Sequence, residues 1–182
     1  SFALWDANSG ELILARDPLG IKPLVRSEID GCLLFSSEIK AFHAHEAYRP
    51  KFDETSLALR LSWEYSLDSS TLIEGVHQVR PGTVEIWKLD AESKPYLSSV
   101  SNYERQKIIP DETWNPQIDS ETLLESFTVS VQERLMADVP VGIVLSGGLD
   151  SSLVAAVASE AADREGKPVP ACWTVAESED NP

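Results

Sequence analysis

Short apolar runs broken by turn dipeptides fill the first ninety residues. Residues 2–6 and 11–16 are two such runs, separated by Ala7-Asn8-Ser9-Gly10, which predicts a β-hairpin. A second pair, 24–29 and 32–35, turns at Asp30-Gly31, a dipeptide that tolerates positive φ at both turn positions. Ser36-Ser37-Glu38 predicts the cap of a short helix running through Phe42. Asp53 followed by Leu57, Leu59, Leu61 and Trp63 predicts another helix. Pro81-Gly82 reads as a turn and residues 83–89 as a strand.

From Asp90 to Ile118 the apolar signal fades, and Pro95, Pro110 and Pro116 act as breakers. This places a linker over 91–118, between a first domain at 1–90 and a second at 119–182. From Asp119, read as an N-cap, Leu124, Phe127, Val131 and Leu135 recur at helical spacing. An apolar strand over 141–145 leads into a Ser/Gly-rich turn. A helix over 151–164 follows, stopping at Gly166, and then a strand over 169–175. That order is a βαβ unit, so a parallel sheet starts here. Two strands cannot bury a sheet on both faces, and the second domain therefore reads as the start of a larger one. The expected fold class is α+β followed by α/β.

Charge narrows the partners. A formal net charge of −15 argues against nucleic acid and anionic membranes, both of which attract basic patches. A nucleotide would need a local electropositive site built from backbone dipoles or a bound cation. Cys32 and Cys172 each lie in an apolar run and read as buried thiols of a reducing compartment. No apolar stretch approaches the roughly 20 residues of a membrane span, so the expected location is the cytoplasm.

The informative stretch is Leu145-Ser146-Gly147-Gly148-Leu149-Asp150-Ser151-Ser152. Two glycines after a buried strand let backbone N–H groups converge on an anion, and the following helix adds its positive N-terminal end. Ser146, Ser151 and Ser152 supply hydroxyl donors, and Asp150 can hold Mg²⁺ that bridges phosphate oxygens. The bland alternative is an ordinary strand-to-helix turn capped by Asp150 or Ser151. The string lacks the Gly-Lys-Ser/Thr ending of the common mononucleotide loop; the lone Gly-Lys pair, Gly166-Lys167, runs into Pro168.

Residues 146–152 resemble the pyrophosphate-binding loop of the ATP pyrophosphatases. Arg134-Leu135-Met136-Ala137-Asp138-Val139-Pro140-Val141-Gly142-Ile143-Val144-Leu145 ahead of it resembles glutamine-hydrolysing asparagine synthetase. Phe2-Ala3-Leu4-Trp5-Asp6, Ala15-Arg16-Asp17-Pro18-Leu19-Gly20-Ile21-Lys22-Pro23-Leu24 and Ser37-Glu38-Ile39-Lys40-Ala41 are similar to the C-terminal part of that family's glutaminase domain. Ile73-Glu74-Gly75-Val76 and Pro81-Gly82 resemble the region just after. The resemblance spans nearly the whole chain in the family's order.

It implies the C-terminal part of an N-terminal-nucleophile (αββα) glutaminase domain, then the start of a Rossmann-like ATP pyrophosphatase domain, the chain being a fragment of the enzyme. The implied reaction adenylates aspartate with ATP and Mg²⁺, and glutamine-derived ammonia then gives asparagine, AMP and pyrophosphate. Carried over, Ser146, Gly147, Gly148, Asp150, Ser151 and Ser152 would hold pyrophosphate, with Asp150 on the Mg²⁺, while the backbones of Val144 and Val175 would touch the AMP moiety. Ala176 stands where the family usually has Gly, which weakens the carry-over at Val175. The implied partners are ATP, aspartate and glutamine, with a homodimer left open. The family's nucleophile lies upstream, so Ser1 reads as an effect of truncation and this stretch alone as inactive.

Arg16 and Asp17 read as a buried ion pair bracing a turn. His43, His45 and Glu46 have metal-like spacing and read instead as a solvated helix end; His77 has no identifiable partner. Two other readings stay open: a sister amidotransferase of the β-lactam synthetase type that adenylates another acid, and a non-catalytic nucleotide-binding paralogue.

Overall fold

A computed structural model of the chain describes residues 1–65, 68–103 and 112–175. The chain divides into two compact units, Ser1–Lys107 and Ile108–Pro182.

The first unit holds a four-stranded antiparallel sheet and a three-stranded one. Strands β1 (Phe2–Asp6) and β2 (Glu11–Ala15) form the expected hairpin. Asp6 closes it by accepting hydrogen bonds from the Asn8 amide and the Ser9 hydroxyl, both at 2.9 Å. Strands β3 (Val25–Ile29) and β4 (Cys32–Ser36) form the second hairpin. Its turn has φ of 50° at Asp30 and 74° at Gly31, the double positive φ that the dipeptide favours. After β5 (Val76–Gln78), β6 (Thr83–Leu89) and β7 (Pro95–Asn102), the sheet orders are β1-β2-β6-β7 and β4-β3-β5.

Residue alternation along β3 and β4 explains how the two sheets stack. Leu24 and Leu33 join Leu14, Val79 and Trp87 in one cluster. Val25 and Leu34, on the other face, join Phe42, Tyr48 and Val76. Arg26 shares Leu24's face. Its Nε donates to the Glu85 carboxylate of β6 at 2.7 Å, and its guanidinium lies 4.8 Å from the centre of the Trp87 ring. The Trp87 indole N–H donates to the same Glu85 oxygen at 2.9 Å. A charged pin thus crosses an otherwise apolar layer.

The helices of this unit differ in how they start. The short 3-10 helix Ile39–Ala44 has Glu38 at its N-cap with no side-chain bond; the Ser36 hydroxyl donates instead to the Glu38 carbonyl, so the expected serine cap does not form. Helix α1 (Glu54–Trp63) starts as expected, with the Asp53 carboxylate accepting from the Ser56 amide at 2.8 Å.

The stretch assigned to a linker contains β7, which pairs with β6 along its length. Its sequence, PYLSSVSN, places Tyr96, Leu97 and Val100 without a period-2 alternation and buries none of them, as an edge strand can, so apolar pattern did not reveal it. Helix α2 (Pro116–Arg134) begins before Asp119. Asn115 is the N-cap, accepting from the Gln117 amide, while Asp119 reaches back to accept from the Asn115 amide at 2.7 Å. Pro116 starts this helix instead of breaking one, since a residue at N1 needs no N–H.

In the second unit, strands β8 (Gly142–Val144) and β9 (Ala171–Trp173) pair in parallel on either side of helix α3 (Leu149–Arg164). Both strands are shorter than expected, and the helix starts two residues earlier. Ile143 packs with Val157, Ala158 and Val131 of α2. Ala158, Ala161 and Ala162 are buried, and their small size lets α3 approach its neighbours closely. Past the helix, Gly166 at φ +64° lets the Lys167 amide reach the Ala162 carbonyl at 2.9 Å and stop the helix.

Both cysteines are exposed, which corrects the expectation of buried thiols. Cys32 opens edge strand β4 beside the turn, and Cys172 lies in a two-stranded sheet with too few neighbours to cover it. No helix among the described residues is long and apolar enough to cross a membrane.

Candidate nucleotide site

The loop between β8 and α3 is built from its serines and glycines. The Leu145 amide donates to the Trp173 carbonyl at 2.7 Å, so the chain leaves the sheet still tied to β9. Gly147 then takes φ +80°, a conformation that costs a residue with a Cβ. A Cβ there would meet nothing within 4 Å, so the requirement is backbone torsion and not space. Gly148, with ordinary φ of −77°, is the N-cap of α3.

Ser151 ties the loop together. Its Oγ accepts from the Ser146 amide at 3.2 Å, lies 3.0 Å from the Ser146 Oγ, and donates to the Gly148 carbonyl at 3.2 Å. The Ser152 hydroxyl donates to the same carbonyl at 2.8 Å. The amides of Leu149, Asp150 and Ser151 open the helix and have no intrahelical acceptor, so they point out of its first turn with the positive end of the dipole. Three orphan amides on the first turn give this end of the helix a positive face of the kind that attracts an anion, while the serine hydroxyls fasten the loop that leads into it.

Asp150 and Ser151 do not cap the helix; Gly148 does. The Asp150 carboxylate is exposed and makes no hydrogen bond or ion pair among the described residues. A free carboxylate beside anion-binding amides suits a divalent cation that arrives with its anion. Among the described residues no group of three His, Cys, Asp or Glu side chains is placed to hold a metal. A cation here would take its remaining ligands from phosphate oxygens and water, the usual habit of Mg²⁺. The donor set therefore fits.

Of the remaining sequence candidates, Val144 ends β8 and Val175 lies two residues beyond β9, both exposed. Ala176 lies outside the described residues. The structure thus places the residues of the Ser146–Ser152 loop on one turn, with Val144 at the end of β8 and Val175 two residues past the end of β9.

Arg16 and Asp17 do not pair with each other, because consecutive residues at a strand end point apart. Arg16 donates to the carbonyls of Gly20, Lys22 and Val79 and to the Gln78 amide oxygen. Asp17 accepts from the amides of Lys22, Ile21 and Leu19, and the first two hold its carboxyl below the usual range. Both groups brace the turn, each with backbone partners. The Ser1 hydroxyl donates to the Pro23 carbonyl. His43 stands edge-on to Tyr48 with ring centres 5.1 Å apart, and His45 Nδ1 accepts from the Ala47 amide. Sequence reasoning passed over Gly142 and Trp173, which meet beside the loop; a glycine inside a strand was the available signal.

A family model described as "Glutamine amidotransferase domain" matches residues 1–97, and one described as "Asparagine synthase" matches residues 122–180. Amidase chry2 of Gibberella zeae is 39% identical over 163 residues, 87% of this chain and 23% of that protein. Amidase chyE of Penicillium rubens is 37% identical, over 88% of this chain and 23% of its own length. Asparagine synthetase [glutamine-hydrolyzing] 3 of Bacillus subtilis is 32% identical, over 92% of this chain and 26% of its own. The chain spans about a quarter of the length of these relatives. With amidotransferase sequence across more than half of it and asparagine synthase sequence behind, the chain belongs to the glutamine-hydrolysing asparagine synthetase family.

Proposed function

We propose that the loop Ser146–Ser152 binds the pyrophosphate portion of ATP, as part of an enzyme that adenylates a carboxylic acid and amidates it with glutamine-derived ammonia. The observation that carries this reading is the set of orphan amides at the α3 N-terminus, in a loop whose serine hydroxyls are tied to its own backbone, with the free Asp150 carboxylate beside it. Ser146, Gly147, Gly148, Ser151 and Ser152 hold the β and γ phosphates. Asp150 holds Mg²⁺, which when bound neutralises charge on the phosphates. The α phosphate and nucleoside then lie toward the strand ends at Val144 and Val175, within the Rossmann-like sheet that β8 and β9 begin. Orphan amides fixed before the ligand arrives, in a loop held by its own serine hydrogen bonds, stabilise the charge that develops as pyrophosphate departs, without reorganisation. The acceptor in this reading is aspartate, giving asparagine through a β-aspartyl-adenylate in the cytoplasm.

A second reading assigns the same chemistry to another acid. It is favoured by the higher identity to proteins named as amidases, 39% and 37% against 32% for the Bacillus synthetase. Exchange of labelled pyrophosphate into ATP, measured with the natural full-length protein against a panel of carboxylic acids, separates the two. Dependence on aspartate supports the first, and dependence on a different acid the second. No exchange with any acid defeats adenylation itself.

A further inference from the structure

Gly142 is the one strand glycine beside the site, and its backbone does not explain it. It has no positive φ, unlike Gly147 in the loop. What explains it is a neighbour. A Cβ at 142 would stand 3.1 Å from the Trp173 Nε1 and 3.3 Å from Cδ1, inside ordinary contact distance of about 3.5–4.0 Å.

Trp173 is the last residue of β9 and pairs with Val144, yet its side chain lies back along β8 to Gly142. The indole is 68% exposed, so burial alone does not place it there. The same residue's carbonyl accepts the Leu145 amide at 2.7 Å. Trp173 therefore grips β8 at two points, the first residue of the strand through its ring and the residue leading into the loop through its backbone. Ile143, between them, faces the other way and packs against Val157 and Ala158.

We propose that Gly142 and Trp173 form a positioning pair that fixes where β8 releases the chain into the phosphate-binding loop. The inference rests on the nucleotide reading of that loop. Neither residue touches the ligand; each acts through the Leu145–Trp173 hydrogen bond, which sets the origin of Ser146 and the amides that follow. Adding a methyl at 142 pushes the ring outward by a few tenths of an ångström. Where the displacement is carried into the β9 backbone rather than taken up by rotation of the exposed indole, the Leu145 hydrogen bond shifts with it, and exchange at that amide reads which occurs. Misplacement of binding groups by about 1 Å can cost on the order of 10² in rate, so a smaller shift should cost about tenfold.

The test uses Gly142→Ala, Trp173→Ala and the double variant in the natural full-length protein. Hydrogen exchange at the Leu145 amide reads the grip directly. Both single variants should lose protection there, while amides of β6 in the first unit keep theirs. Pyrophosphate exchange into ATP should fall about tenfold in kcat/KM for ATP in Gly142→Ala. In the double variant the methyl has room, so the loss should be smaller than the product of the two single losses. Unchanged Leu145 protection in Gly142→Ala overturns the grip. Lost protection with unchanged kcat/KM, or multiplicative losses in the double variant, overturns the positioning role. A wild-type protein that exchanges no pyrophosphate defeats the nucleotide reading instead, and the hydrogen-exchange result still decides whether the grip exists.

Discussion

Replacing Glu85 by Leu removes the acceptor at the centre of the inter-sheet pin. Glu85 is 5% exposed and receives two donors, the Arg26 Nε at 2.7 Å and the Trp87 N–H at 2.9 Å. Leucine matches the volume but leaves a guanidinium, its side chain only 16% exposed, without a counter-ion. Removing one partner of a buried ion pair costs about 3–5 kcal/mol. The guanidinium retains its position over the Trp87 ring and some access to water, which favours the lower half of that range. The stranded indole N–H adds about 1 kcal/mol or more, because Trp87 is itself buried. The expected loss is therefore about 4 kcal/mol, which at a urea slope of about 2 kcal/mol/M moves the unfolding midpoint of this unit down by about 2 M. Urea titration followed by circular dichroism measures it. Changing Arg26 to Met in the same protein removes the unpaired charge and should recover about 3 kcal/mol, leaving the indole as the residual cost. A double variant no more stable than Glu85→Leu alone would refute the charge argument, and a single variant that unfolds at the wild-type midpoint would refute the pin.

Three further outcomes follow from particular groups. Tyr48 is buried, its hydroxyl has no hydrogen-bond partner among the described residues, and burial pushes its pKa up; Tyr48→Phe should therefore raise stability by about 1 kcal/mol in the same titration. The carboxyl of Asp17 is held below its ordinary value of 3.8 by the Lys22 and Ile21 amides, so its contribution is complete above that value and lost as pH falls through the lower folded one. Unfolding measured across that acid range should show Asp17→Asn losing less stability than wild type, and parallel curves would contradict the assignment. Cys32 and Cys172 are exposed, so both should label with a thiol reagent in the native protein, whereas labelling only after denaturation would contradict the exposed placement.

The hairpins were legible because their signals are local. Asp30-Gly31 demands a conformation that few other dipeptides adopt, and the turn has it. The loop at Ser146–Ser152 was legible for the same reason, since its glycines, serines and aspartate act within one turn of chain. What escaped depended on partners far away in sequence. β7 has apolar residues but no alternating face, because an edge strand can be held by main-chain bonds to β6. The cysteines look like core residues by their neighbours, but burial depends on what covers a strand, and β4 and β9 are thinly covered. Asp119 has the chemistry of a cap, but Asn115 holds that position. It does serve the N-terminus of α2, by reaching back to Asn115 from inside the first turn. Gly142 has a reason visible only once Trp173 lies against it.

The central claim is that Ser146–Ser152 binds the pyrophosphate of ATP, with Asp150 on the accompanying cation. Asp150→Asn in the natural full-length protein tests it most directly, because the change keeps size and removes charge. Gly148 caps the helix and Asp150 has no protein partner among the described residues, so the thermal midpoint should match wild type. Losing one preorganised electrostatic contribution typically costs on the order of 10²–10³ in rate. Acid-dependent exchange of labelled pyrophosphate into ATP should fall by that factor while glutamine hydrolysis continues at the wild-type rate. Exchange at near-normal rate in a folded Asp150→Asn protein would contradict the account, and so would a variant that fails to fold, since Asp150 would then be holding the structure together.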